Sequence, residues 1–136
     1  MITITEPETA TADEEMPPPI GESLLKTADT LRRRVAVQAL IDEKTLLTHG
    51  SVYQVLVWKR EDGTLDCAWD RLARRFYSLD LDDEERAFLD LVLSIVCPYQ
   101  TSLVRIVDCG ERRTAIILRS MIALSGCDTL AVGTRT

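Results

Sequence analysis

The segment from Asp82 to Cys97 leaves this chain fewer choices than any other. Asp82 with Glu85 three residues later forms an acidic capping box, which sets carboxylates on the positive end of a helix, and Pro98 ends it. Phe88, Leu91, Val92 and Ile95 make one face while Leu89, Leu93 and Val96 fill the other. A helix apolar nearly all round is stable only when covered on most sides, so the spacing predicts residues 83–97 as the central, most buried element.

The flanking segments supply what would pack around it. Residues 22–49 contain no Pro or Gly, and Leu24, Ala28, Leu31, Val35 and Ala39 paint one helical face. Ser23 is the expected N-cap. The stripe drifts after Val35, which predicts one curved helix or two joined near residue 34, with His49 at the C-terminus and Gly50 as the stop. From Ser51 to Trp58 the residues are mainly β-branched, aromatic or aliphatic with no polar helix face. Glu61-Asp62-Gly63 then offers a turn and Thr64 to Trp69 a return, so a β-hairpin is expected over 51–69. Asp70 is placed to cap a short helix at 71–77. Ser102 would cap another over 102–109, Gly110 would end it, and Glu111 to Ser125 would form the last helix before Gly126, with Ala115, Leu118, Met121 and Ile122 inward. The rival reading of Leu103–Val107 and Thr114–Leu118 as strands is less favoured, because the apolar pattern continues to Leu124, beyond ordinary strand length.

The expected fold class is therefore α+β, predominantly helical, with helices packed around 83–97 and one hairpin. The predicted core is Leu31, Val55, Val57, Phe76, Phe88, Leu91, Val92, Ile95, Ile106, Leu118 and Ile122. With 136 residues the chain has the length of one domain. Residues 21–128 form that domain, and 129–136 a short C-terminal strand or tail.

Residues 1–20 differ in kind. They hold four of the five prolines, including Pro17-Pro18-Pro19, and few large apolar groups, so a disordered acidic tail is expected. Residues 1–23 carry six acids and no Lys or Arg, which leaves 16 basic and 16 acidic side chains in 24–136. The pI near 4.8 is thus a property of the tail, and the balanced remainder does not exclude an anionic partner. No apolar run reaches the roughly 18 residues of a membrane span. The opening Met1-Ile2-Thr3-Ile4-Thr5-Glu6 lacks the basic and apolar regions of a signal peptide, so a soluble cytoplasmic protein without a membrane partner is expected.

Few residues offer chemistry. Cys67, Cys97, Cys109 and Cys127 contain no C-x-x-C pair, and the only histidine, His49, lies far upstream, so no zinc site is expected and four free thiols are. Asp80 to Glu85 fails the calcium-loop pattern, since Glu85 stands where Gly is needed and Leu91 where the bidentate Glu is needed. There is no P-loop, G-x-G-x-x-G or G-x-S-x-G. Neither catalytic residues nor a cofactor or metal are therefore assigned. Cys109, beside Gly110 and close to Arg112 and Arg113, is the thiol best placed for activation.

Three functions follow, in order of preference. The first is a non-enzymatic interaction or regulatory module with a protein partner or a second copy of itself, because apolar residues abound and chemical groups do not. The second is a DNA-binding regulator. Residues 102–125 have the layout of a helix-turn-helix, with Arg112 and Arg113 as base readers and Thr114 on phosphate, helix 83–97 as support, and residues 129–132 as a wing strand. Glu111 and Arg119 occupy positions where that motif wants apolar residues. The third is a thiol enzyme or redox sensor centred on Cys109.

Overall fold

The computed structural model describes residues 20–97, 101–127 and 129–133. The expected acidic tail, apart from Ile20, and the stop at Pro98 lie outside the described residues. Among the described residues, six α-helices and one two-stranded antiparallel hairpin run in the order α1 (Ile20–Thr27), α2 (Leu31–Glu43), α3 (Gly50–Leu56), β1 (Val57–Lys59), β2 (Leu65–Cys67), α4 (Trp69–Arg74), α5 (Asp83–Val96) and α6 (Glu111–Ser125). Short 3-10 helices fill Leu46–Thr48, Phe76–Ser78 and Leu103–Asp108. The fold is α+β and predominantly helical, as expected.

Helix α5 is the centre. It packs against α2, α4, α6 and the 3-10 helix Leu103–Asp108. Phe88, Leu89, Val92 and Leu93 are fully buried. Its start is the expected reciprocal cap, with Glu85 N donating to Asp82 Oδ1 at 2.8 Å and Asp82 N donating to Glu85 Oε1 at 3.0 Å. Leu24, Leu40, Leu46, Val52, Leu56, Leu72 and Phe76 complete the core around it.

The long first helix breaks earlier than the drift in its stripe suggested. Thr30, not residue 34, marks the joint, and its Oγ1 accepts from Arg33 N at 3.1 Å. Ser23 lies inside α1 rather than capping it. Gly21 lets α1 lie directly on α2, since a Cβ there would sit 2.5 Å from Ile41 Cγ1. Helix α2 stops six residues before His49. Lys44 takes a left-handed conformation at φ 80° and donates its backbone N–H to Leu40 O, while Gly50 opens the next helix instead of closing this one.

Residues 50–56 correct the expected hairpin. Val52 and Leu56, four apart and fully buried, use the helical period to reach the core, so the β-branched run folds as α3. Strand preference expresses fit to a sheet surface, and here neighbouring helices offer a better surface. Only Val57–Lys59 pairs with Leu65–Cys67, in the register Val57 to Cys67, Trp58 to Asp66 and Lys59 to Leu65. The turn between them is the expected one: Asp62 Oδ1 accepts from Thr64 N at 2.9 Å, and Gly63 has φ 91°.

Further differences concern α4, the 3-10 segments and α6. Helix α4 begins at Trp69 after Ala68, so Asp70 lies within its first turn, and residues 76–78 are 3-10. Residues 103–108 form the expected short helix with Ser102 as its cap; it is of the 3-10 kind, and none of its residues is buried. Helix α6 has the expected ends, with Gly126 left-handed at φ 74°. Its buried residues are Ala115, Ile116, Ile117 and Ser120, while Leu118 and Met121 face outward, because the helix is covered by α2 and α5 together. Of the predicted core, Leu31 in the first turn of α2 and Leu118 are exposed. Val55, Val57, Ile95, Ile106 and Ile122 are half-buried. Residues 129–133 form no strand.

Candidate functional site

Two apolar stripes end in opposite charges, and the fold joins them. On α2, Val35 and Ala39 are followed four residues on by Glu43; on α6, Arg113 precedes Ile117 and Ser120 by four and seven. Glu43 is fully buried, and its Oε2 receives Arg113 Nη2 at 2.9 Å and Arg113 Nε at 3.1 Å. Thr45 N and Leu46 N each donate to Oε1 at 2.8 Å, and the Thr45 hydroxyl donates to Oε2. Burial alone would raise the Glu43 carboxyl, but the hydrogen bonds from Thr45, Leu46 and Arg113 outweigh it and hold the group below the ordinary carboxylate value.

The three residues expected to contact DNA, Arg112 and Arg113 on bases and Thr114 on phosphate, all have internal partners. Arg113 is 14% exposed and also reaches Glu84 Oε1 at 3.3 Å. Arg112 donates to the carbonyl oxygen of Glu43 at 2.9 Å, with its side chain half exposed. The Thr114 hydroxyl faces Ile106 O at 3.5 Å. The structure therefore brings Arg112 and Arg113 together at Glu43, a residue that sequence reasoning missed. Its signal was present, since Glu43 continues the Leu31, Val35, Ala39 spacing by four; the identity of its partner, 70 residues away, was not.

Among the described residues, no group of three or more His, Cys, Asp or Glu side chains is placed to hold an ion. Burial pushes the Cys67 thiol up to about 12, with Asp66 adding to it. Burial also raises Cys97, reinforced by Asp70 at 3.9 Å from its Sγ, and raises Cys109 despite the opposing Arg113 and Arg105. His49 sits at the start of α3 with Nδ1 3.1 Å from Ser51 Oγ. Iodoacetamide is accordingly expected to label exposed Cys127 first, with Cys67, Cys97 and Cys109 at least about tenfold slower, since the thiolate is the reacting form. Peptide mass spectrometry of the native protein measures this, and preferential labelling of Cys109 would contradict it.

One concave feature is mainly apolar. A groove of about 610 Å³ runs between α5, α6 and the start of the 3-10 helix Leu103–Asp108. Leu91 and Ile95 from α5, Ile117, Met121 and Leu124 from α6, and Leu103 line it, with Ser94 and Thr101 as its hydroxyls. Arg32 closes one end by donating to Ile95 O at 2.7 Å. Beside the groove the 3-10 helix turns Leu103, Val104 and Val107 outward, the last 75% exposed. Arg105 of the same turn is tied back to Asp90 at 2.9 Å, which fixes the ridge against α5. Among the described residues no helix is long and apolar enough to cross a membrane. No protein-family model, curated protein or solved structure matches the chain.

Proposed function

We propose that the chain is a non-enzymatic, cytoplasmic interaction module that self-associates through the groove between α5 and α6. The observation that carries this reading is the apolar groove of about 610 Å³ lying directly beside an apolar ridge, Leu103, Val104 and Val107. A two-fold contact requires a self-complementary patch, in which the ridge of one copy enters the groove of the other and the reverse. Thiols held in the protonated form favour this reading over thiol chemistry. The internal partners of Arg112, Arg113 and Thr114 favour it over a helix-turn-helix reader.

Sedimentation velocity tests the proposal. The chain is expected to dimerise at concentrations on the order of 100 μM or below. Met121→Glu, at a position 47% exposed in the single chain, is expected to weaken the dimer by about 30-fold, equivalent to about 2 kcal/mol, with the melting temperature of the monomer unchanged. A wild-type chain that stays monomeric throughout that range would overturn the reading.

A further inference from the structure

A second cleft, of about 330 Å³, shares no lining residue with the groove and has the opposite character. It lies between the first turn of α2, the end of β2, α4 and the end of α5, and Arg33, Arg71 and Arg74 are among its lining residues. Arg71 and Arg74 stand three apart on α4 and so share a helix face, while Arg33 approaches from α2. Asp70 is the one acidic side chain among the lining residues, and Trp69 with Val96 supplies apolar wall.

The three arginines are prepared to different degrees. Arg71 is oriented by its Nε–H bond to Val55 O at 2.6 Å, which leaves its terminal nitrogens without a further bond among the described residues. Arg33 holds Asp29 at 3.2 Å with both side chains more than half exposed, an i,i+4 surface pair of the weak kind that an incoming anion exchanges easily. Arg74 makes no hydrogen bond or ion pair among the described residues. Guanidinium groups do not lose their charge in proteins, so three of them beside the carboxylates of Asp70 and Asp29 leave a surplus of about one positive charge, which attracts an anion.

We propose that this cleft binds a small phosphate monoester, its phosphoryl group held by Arg33, Arg71 and Arg74 and its organic part against Trp69 and Val96. A phosphate monoester is anionic and presents three acceptor oxygens in a tetrahedral array. Donors arriving from two different helices suit that array better than the flat pair of oxygens on a carboxylate. The volume is near the lower limit for small-molecule sites, which restricts the ligand to a few carbons beyond the phosphate.

The test is an NMR titration of the full-length 15N-labelled chain with inorganic phosphate, glycerol 3-phosphate and succinate, at ionic strength held constant with chloride. Saturable shifts of the Trp69 indole N–H and of amides 67–74 are expected with both phosphates, stronger with the ester. Arg74→Ala is expected to raise Kd at least about tenfold with the melting temperature unchanged, because that guanidinium has no internal partner to lose. Arg75→Ala, outside the cleft, serves as the control and is expected to titrate as wild type. Shifts reproduced by chloride alone, an Arg74→Ala chain that titrates as wild type, or succinate binding as tightly as the ester would each overturn the proposal. Arg33→Ala gives a second variant whose loss of binding does not depend on α4.

Discussion

Glu43→Ala is expected to cost about 3–5 kcal/mol of folding stability, the range for removing one partner of a buried ion pair. The carboxylate does two jobs. It neutralises Arg113, which is only 14% exposed, and it accepts the backbone N–H groups of Thr45 and Leu46 where α2 ends. Alanine leaves a guanidinium and two amides without their acceptor. Glu43→Gln keeps the shape but turns an NH2 group toward donors, so it is expected to recover only part of the loss. Arg113→Ala removes the buried counter-charge but leaves Glu43 its bonds from Thr45 and Leu46 and Arg112 at 3.5 Å, so a smaller loss is expected. Urea denaturation with an unchanged m-value measures all three. A chain carrying Arg113→Ala with wild-type stability would show that this arginine is free for an external ligand.

The same pair sets an acid limit. Folding lowers the Glu43 carboxyl below its ordinary value of 4.5, so the folded state favours the ionised form. That contribution is complete at pH above the ordinary value and disappears as pH falls through the lower, folded one. The stability difference between wild type and Glu43→Ala should therefore be greatest near neutrality and shrink below about pH 4.5.

Phe88→Ala is expected to cost about 3–5 kcal/mol and to lower Tm by more than about 10 °C. Phe88 is fully buried in α5, among Leu89, Val92 and Leu93 from the same helix, which are covered equally completely. Removing its ring leaves a cavity that packing on several sides keeps from collapsing. Leu91→Ala is expected to fall near the lower end of the usual range of about 2–5 kcal/mol, because Leu91 lines the open groove and its loss enlarges a space already open to solvent. Scanning calorimetry of the two variants checks the order. A larger loss at Leu91 than at Phe88 would put the centre of the core on the wrong face of α5.

Several elements were legible in the chain alone because the chemistry that defines them is local. The Asp82 and Glu85 cap uses side chains three residues apart, and Gly126 adopts a left-handed conformation at the position where α6 needs a C-cap. The turn at Asp62-Gly63 is closed by its own side chain. An α5 apolar nearly all round beyond its first turn had to be central whatever surrounded it.

What the sequence could not decide was which neighbour covers each surface. Val52 and Leu56 serve a strand or a helix equally well by type, and α3 forms because core contacts at a spacing of four are available there. Met121 and Leu118 suit the interior as well as Ile116 and Ile117 do, and only the direction of α2 and α5 turns the first pair outward. Arg113 reads as a solvated or DNA-facing charge until Glu43, 70 residues earlier, is brought beside it. The sequence by itself determined α5, the ends of α6 and the hairpin turn, since each is stabilised by bonds among near neighbours. The buried ion pair, the apolar groove and the arginine cleft were decided by tertiary structure alone, because each is made by residues that the chain separates widely and only packing around α5 brings together.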